Sequence, residues 1–289
     1  MQFSVIIVSW NVRDLLHRAL TSVLREAKDV ALEVFVVDNA SKDGSVEMVH
    51  GDFPSVRLIA NKKNRGFAAA CNQAIQESRG DLVLLLNPDT ELAPGALVPR
   101  GVLVALARFA AEHHSAGVIG GRITNPDGSL QPSVRRFPTL LSQALILLKL
   151  HRLFSRLVPL QKYLAHDFDY ERVQEVDQVM GAFFCVPQRV FDTVGLFDER
   201  FFVWFEEVDF CKRVRDAGFS VFYTPSARAI HVGGRSFAQL SPLRRQWLFG
   251  KSLARYMRKH EGVGAWAVIQ TVRPIGLVIA FFSSLLPKR

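Results

Sequence analysis

The chain reads as an α/β protein built on a mostly parallel sheet covered by helices, and three features of the sequence point there. Short β-rich runs alternate with helix-like stretches over the first 120 residues. Leu82-Val83-Leu84-Leu85-Leu86 is continuously apolar, as suits a strand buried on both faces. Each expected strand is followed at once by polar residues, which is where open α/β sheets place their ligand crevice.

The elements follow in order. Strands are expected at residues 3–8, 33–37, 56–59, 82–86 and 118–120, with helices at 14–26, 45–50, 67–77 and 96–112 between them. The residues just past the strands are Ser9-Trp10-Asn11, Asp38-Asn39, 61–66 and Asn87-Pro88-Asp89. After Gly121 comes a turn-rich stretch, Asn125-Pro126-Asp127-Gly128, and then a Leu-rich helical segment over 140–164. On that segment Lys149, Arg152 and Arg156, at spacings of three and four, would form a basic stripe. A second apolar run spans 179–186, an acidic helix starts at Glu206-Glu207-Val208-Asp209, and 219–223 reads as another strand leading to His231.

Composition narrows the class. The hydrophobic fraction of 49% with 22% charged residues excludes a disordered or fibrous chain. Cys71, Cys185 and Cys211 form no CxxC or Cys/His spacing, so buried thiols in a reducing compartment are expected. No secretory signal is apparent, which predicts a cytoplasmic location. The net charge of +9 is concentrated at one end, because residues 235–289 hold ten Lys/Arg against one acid, Glu261. The rest is neutral, so only the tail seeks an anionic partner.

Within the tail, Arg244, Lys251, Arg255 and Arg258 share one helical face, with Phe249, Leu253, Tyr256 and Met257 opposite, as in an interfacial amphipathic helix. Residues 263–287 are apolar but interrupted by Arg273-Pro274, and neither flank reaches the roughly 20 residues of a spanning helix. The segment therefore reads as surface-lying or re-entrant, with a kinked span and a buried core helix as alternatives.

Several familiar motifs fail. Gly250-Lys251-Ser252 lacks the earlier Gly of a P-loop, since position 245 is Arg. Ser9-Trp10-Asn11-Val12-Arg13-Asp14 stands where a dinucleotide-binding chain would have GxGxxG. Residues 39–44 faintly echo a calcium loop, yet position twelve is His50.

The polar groups that remain can do chemistry together. Asp38 closes a strand, where a carboxylate can accept hydrogen bonds from a base or ribose, or merely cap a turn. Asn64-Arg65-Gly66-Phe67 opens a helix rich in small residues, a natural diphosphate contact. Asn87-Pro88-Asp89 projects a carboxylate and an amide that can hold Mg²⁺ or Mn²⁺, or can be a plain Pro turn. His231 could complete a metal site. Glu206, Glu207 and Asp209 crowd like charge among aromatics, which should raise at least one pKa and suit a general base.

Taken together these stretches resemble the family 2 glycosyltransferases of GT-A fold, especially the bacterial rhamnosyltransferase-like branch. The matching segments are 5–11, 36–45, Asn64-Arg65-Gly66-Phe67, Leu86-Asn87-Pro88-Asp89-Thr90, 195–199 through 206–209, and 231–236, in the family's order. The resemblance implies a GT-A domain over 1–236, with a nucleotide-sugar half at 1–120 and an acceptor and base half at 121–236. A membrane-associating tail would occupy 237–289. It implies inverting transfer of a sugar, best read as rhamnose from dTDP-rhamnose, to a hydroxyl of a lipid-linked or polysaccharide acceptor in cell-envelope glycan synthesis. UDP-hexose, UDP-N-acetylhexosamine and GDP-mannose are the alternative donors. By this likeness Ser9, Asp38, Asn64, Arg65, Gly66 and Asn87 bind the nucleotide sugar, and Asp89 and His231 ligate Mg²⁺ or Mn²⁺. Glu207 is the favoured catalytic base, with Glu206 and Asp209 as alternatives.

Two departures matter. The family's Asp-x-Asp is here Asn87-Pro88-Asp89, and Glu207 stands where the family usually has Asp. An enzyme on a lipid-linked acceptor would work peripherally at the inner face of the plasma membrane, held by its basic tail on the anionic surface. A protein that binds nucleic acid or membrane through that tail alone is the non-enzyme alternative. The tail's apolar partner surface suits lipid better, so no nucleic-acid partner is expected.

Overall fold

The computed structural model describes residues 1–285 apart from 99, 155 and 235–237. The elements run β1 (Gln2–Ser9), α1 (Arg13–Arg25), β2 (Ala31–Asp38), α2 (Ser45–Asp52), β3 (Arg57–Ala60), α3 (Phe67–Glu77), β4 (Leu82–Leu86), β5 (Thr90–Leu92), α4 (Val102–Glu112) and β6 (Ala116–Thr124). Next come β7 (Val134–Arg135), α5 (Leu140–Leu147), α6 (Val158–Tyr163), β8 (Gln174–Glu175), β9 (Gln178–Val179), β10 (Phe183–Pro187), α7 (Gln188–Val194), α8 (Glu206–Asp216), β11 (Ser220–His231), α9 (Pro242–Tyr256) and α10 (Gly262–Leu285).

The main sheet has the order β3-β2-β1-β4-β10-β6-β11-β5, with β8 beside β11. β1 lies parallel to β2 and β4, and β2 to β3, while β10 runs antiparallel between β4 and β6. Alternation along each strand feeds two layers. Phe3, Val5 and Ile7 join one buried cluster with α1 and α4, whereas Ile6 and Val8 join another with α3, α7 and α8. All three cysteines are buried and free, as expected, and burial pushes their thiols up.

Four expectations are corrected. The helix foreseen over 96–112 begins at Val102, because Gly101 turns left-handed at φ 85. The helix foreseen over 140–164 stops at Leu147, Lys149 is left-handed at φ 58, and Pro159 starts a separate turn, so Lys149, Arg152 and Arg156 lie on no common helix. The strand foreseen at 219–223 runs on through a register shift near Pro225 to His231, which thereby becomes a strand residue. Finally, α10 passes through Pro274 without ending. Ile269 before Pro274 and Gly276 and Ala280 after it are buried, and Gly276 approaches the Leu147 carbonyl too closely for any side chain. Packing on both sides offsets the lost hydrogen bond.

The tail does not stand apart from the sheet. Leu253, Tyr256 and Met257, the apolar face expected to meet lipid, form a buried cluster with Phe201, Phe205, Val208 and Leu147. An apolar stripe buries itself on any adjacent apolar partner, and burying each such side chain is worth roughly 1.5–3 kcal/mol. The aromatic loop before α8 supplies that partner. The expected division at residue 236 falls outside the described residues.

A buried carboxylate fastens the same junction. Asp209 in α8, 0% exposed, accepts from Arg213 Nε at 2.9 Å and from His260 Nε2 at 2.8 Å, and lies 2.6 Å from Lys259 Nζ. Burial works to raise its pKa, but His260, Lys259 and Arg213 outweigh burial and hold it below the usual carboxylate value of 3.8. Because the folded value is the lower one, the stabilisation is complete above pH 3.8 and is lost as pH falls through the folded value. Asp209→Ala should therefore destabilise the fold by about 3–5 kcal/mol at neutral pH, since Lys259, Arg213 and the His260 ring lose the acceptor they share. Urea unfolding at pH 7 and again below pH 3.8, where the folded carboxylate takes up its proton, measures both the loss and the removal of this acid-side dependence.

Candidate functional site

The strand ends converge because β1, β2 and β4 are parallel and in close register. Ser9 pairs with Asp38, and the Asn39 amide donates to the Ser9 carbonyl at 2.8 Å. Left-handed Ala40, φ 65, then turns the chain so that Ser41 N–H donates to Asp38 Oδ1 at 2.8 Å. Asp38 Oδ2 is buried without a partner, as is Ser9 Oγ.

Asn39 pins the next loop. Its Nδ2 donates to the Gly66 carbonyl at 3.1 Å, and its Oδ1 accepts from Arg65 N–H and from Asn61 Nδ2. Gly66 N–H donates to Asn64 Oδ1 at 2.9 Å. Glycine is required here twice over: φ is +85, and a Cβ would sit 2.4 Å from the Phe202 carbonyl. That carbonyl accepts from Phe67 N–H at 2.7 Å, which ties the N-terminal half to the loop before α8.

On the other side of β1, the Asn87 amide donates to the Ala182 carbonyl, and Thr90 N–H donates to the Asn87 carbonyl, closing the Asn-Pro-Asp turn. β5 then pairs antiparallel with β11, Thr90 opposite His231, which brings Asp89 Oδ1 to 3.2 Å from His231 Nε2. His231 Nδ1 lies 2.6 Å from Gln131 Oε1, and Gln131 Nε2 donates to Asn125 Oδ1 at 2.9 Å. The Gln131 amide thus fixes the ring from one side, and Nε2 on the other side lies beside Asp89, buried and without a hydrogen bond.

These groups border one cavity of about 370 Å³. Of the residues anticipated from sequence, Ser9, Asn64, Gly66, Asn87 and Asp89 line it. Asp38 and His231 lie directly behind the lining at Asn39 and Asp89, and Arg65 is exposed, engaging the site through its amide. Trp10 and Asn39, which the strand-end rule flagged without giving them a role, also line it. Sequence reasoning missed Phe202, Val203, Leu240, Arg244 and Leu248 in the lining. Arg244 and Leu248 come from α9 and carry no local signal.

Glu206, Glu207 and Asp209 separate into three roles. Trp204 and Phe205, both left-handed at φ 62 and 70, make the strained turn that starts α8. Asp209 is consumed by its ion pairs. Glu206 is 4% exposed, and burial, together with the neighbouring Glu207 charge, raises its pKa well above 4.5. Glu207 alone faces a cavity, a pocket of about 150 Å³ shared with Arg135, Tyr163, Trp204 and Phe249. Burial raises its pKa too, and its Oε2 has no partner. The pocket adjoins the first cavity through the 202–208 loop, and Glu207 packs against Gly181, next to the Ala182 carbonyl that holds Asn87.

Among the described residues no cluster of three or more His, Cys, Asp or Glu is placed to hold a metal. Asp89 and His231 nonetheless fit a divalent cation, since the buried Asp89 carboxylate and an imidazole Nε2 that has no hydrogen-bond partner lie 3.2 Å apart. Two protein ligands suit a cation that takes its remaining oxygens from phosphate and water.

Comparison with known proteins agrees with this geometry. Residues 4–167 match the model of glycosyl transferase family 2. The chain is 30% identical over 242 residues to an N-acetylglucosaminyl-diphospho-decaprenol L-rhamnosyltransferase of Mycobacterium tuberculosis, covering 78% of this chain and 75% of that one. The mannosyltransferase PcManGT of Pyrobaculum calidifontis, solved with GDP-Man and Mn²⁺, superposes with a TM-score of 0.58 at 18% identity, over 98% of this chain and 74% of its own. GalNAc-T7, solved with UDP, GalNAc and Mn²⁺, gives 0.56 at 15% identity over 80% of this chain, which spans only 44% of that longer protein. The chain belongs to glycosyl transferase family 2, with the GT-A fold, and is a nucleotide-sugar glycosyltransferase.

Proposed function

We propose that this enzyme moves L-rhamnose from dTDP-rhamnose to a hydroxyl of a lipid-linked glycan, with inversion at the anomeric carbon, at the membrane surface. The observation that carries this reading is the pair of adjoining cavities, one lined by Ser9, Asn64, Asn87, Asp89 and Arg244 and the other by Glu207. The rhamnosyl donor and lipid-linked acceptor rest on the mycobacterial relative, whose name gives both an L-rhamnosyl transfer and a diphospho-decaprenol acceptor.

Each group has a part in the reaction. The unpartnered oxygens of Asp38 and Ser9 offer acceptors for the base or ribose. Arg244 lines the first cavity and meets the diphosphate with a guanidinium fork. Asp89 and His231 would hold Mg²⁺ or Mn²⁺, which when bound neutralises charge on the leaving diphosphate. Glu207, ionised, accepts the proton of the acceptor hydroxyl as that oxygen attacks the anomeric carbon, and the nucleoside diphosphate leaves from the opposite face. Trp204 and Phe249 line the same pocket and offer apolar faces to a sugar ring.

The tail supports the membrane placement. Within α10 an 18-residue stretch of mean hydropathy 1.6 is long and apolar enough to cross a bilayer by length and composition, and α10 exposes Val263, Ile275, Val278, Phe281 and Phe282. Its Arg273, and the reversal at Gly262 that packs α10 back along the docked α9 with Arg273 against Gly250, favour lying in the interface over spanning.

Three outcomes are expected. Glu207→Gln keeps the glutamate shape but cannot take a proton, so turnover should fall about 10²–10⁴-fold while the donor-induced rise in melting temperature persists; unchanged turnover would move the base elsewhere. Because burial raises the Glu207 pKa, activity should decline on the acid side at a pH above the ordinary 4.5, and the pH profile of kcat/KM locates that limb. In a thermal-shift panel, dTDP-rhamnose with Mn²⁺ should shift the wild type more than UDP-hexose, UDP-N-acetylhexosamine or GDP-mannose, and chelation should abolish the shift. Asp89→Ala should do the same at any metal concentration that suffices for the wild type.

A further inference from the structure

A third cavity, of about 590 Å³, lies between α9 and α10 and has no part in the reaction described above. Its walls carry Arg200, Lys251, Arg255, Arg258, Lys259 and Arg273, with Trp266 at one side. The carboxylates that answer these cations are Asp198, which pairs with Arg200 and Lys259, and Asp209, which pairs with Lys259. Lys251, Arg255, Arg258 and Arg273 have no carboxylate partner among the described residues. Arg258 and Lys251 rest instead on the faces of Trp266 and Trp247. Burial and the nearby Arg200 charge together lower the hold of Arg255 on its proton, outweighing the opposing pull of Asp198.

Converging unpaired cations are costly unless an anion occupies the space between them. The adjoining arc of α10 indicates what carries that anion. At 100° per residue, Trp266, Gln270 and Arg273 face the cavity, and the exposed Val263, Val278 and Phe281 follow on the next part of the helix surface. A guanidinium-lined cavity bordered by bare aliphatic and aromatic side chains matches a phosphate attached to a hydrocarbon, with the tryptophan at the level where the two meet. Nucleic acid would leave that apolar arc in water.

We infer that the cavity between α9 and α10 is a binding site for the phosphate headgroup of a membrane lipid. The inference rests on the membrane placement proposed above and turns a general attraction into a discrete site. It also has a direction: Arg244, Lys251 and Arg255 lie along one stripe of α9, so the lipid site sits about 16 Å along the helix axis from the Arg244 end that lines the donor cavity.

Co-sedimentation of the full chain with phosphatidic acid and phosphatidylcholine vesicles tests this. Arg255→Gln with Arg273→Gln should weaken binding about thirtyfold, whereas Lys28→Gln with Arg79→Gln, which removes the same charge from exposed positions elsewhere, should change it less than about threefold. Both double variants should keep the donor-induced rise in melting temperature, which shows that they are folded. Inorganic pyrophosphate should release the wild type from vesicles at an ionic strength where sodium chloride does not. Equal weakening by the two double variants, or equal release by the two salts, overturns the discrete site and leaves the membrane placement standing. Pyrophosphate binding by a wild type that ignores vesicles overturns the lipid assignment in favour of a soluble phosphate. A wild type that binds neither overturns both the site and the membrane placement.

Discussion

The carboxylate of Asp209 fastens the C-terminal helices to the helix that carries Glu207. It is fully buried, and a buried carboxylate persists only when cations and hydrogen-bond donors surround it. Arg213 reaches it from the same helix while donating to the carbonyls of Val194 and Leu196, so the turn after α7 is fixed by the same guanidinium. Lys259 and His260 reach it from the C-terminal segment. The tail is thus bound to the helix that starts at Glu206, and the position of Glu207 depends on residues more than fifty places along the chain.

The loop before that helix depends on the same closure. Phe201, Phe205 and Val208 are buried only because Leu253, Tyr256 and Met257 cover them. Phe202 in turn meets Gly66 so closely that no side chain fits between them. The 61–66 loop, the loop before α8 and the tail therefore form one contiguous packing unit, and the left-handed turn at Trp204 and Phe205 is held inside it. Backbone in that region costs on the order of 1–3 kcal/mol per residue and survives where its surroundings fix it. Here the strain places two adjacent glutamates differently, one into the core and one toward a pocket.

Charge is distributed to match. The carboxylates of the site lie at the ends of strands, where Asp38 and Asp89 have neighbours that orient but do not saturate them. The cations are gathered on α9 and α10. Arg244 brings the basic stripe to the cavity at the strand ends, so under the proposed function the tail would serve both that cavity and the membrane surface. The apolar face of α9 is buried on the protein, while α10 exposes Val263, Ile275, Val278, Phe281 and Phe282.

Much of this was legible in the sequence. Continuous apolar strands and the polar residues after them located Ser9, Asn64, Gly66, Asn87 and Asp89, because strand direction and alternation are local properties. The crowding of Glu206, Glu207 and Asp209 announced perturbed carboxylates, yet sequence could not apportion their roles, which depend on Lys259, His260 and a pocket formed with Tyr163 and Phe249. The apolar face of α9 was assigned to lipid for the same reason. Its amphipathic pattern states that one face will be buried, and hydrophobic burial has no direction that would distinguish lipid from protein. Local chemistry determined which residues could act; only the folded chain, by choosing which distant surfaces meet, decided which of them share a cavity.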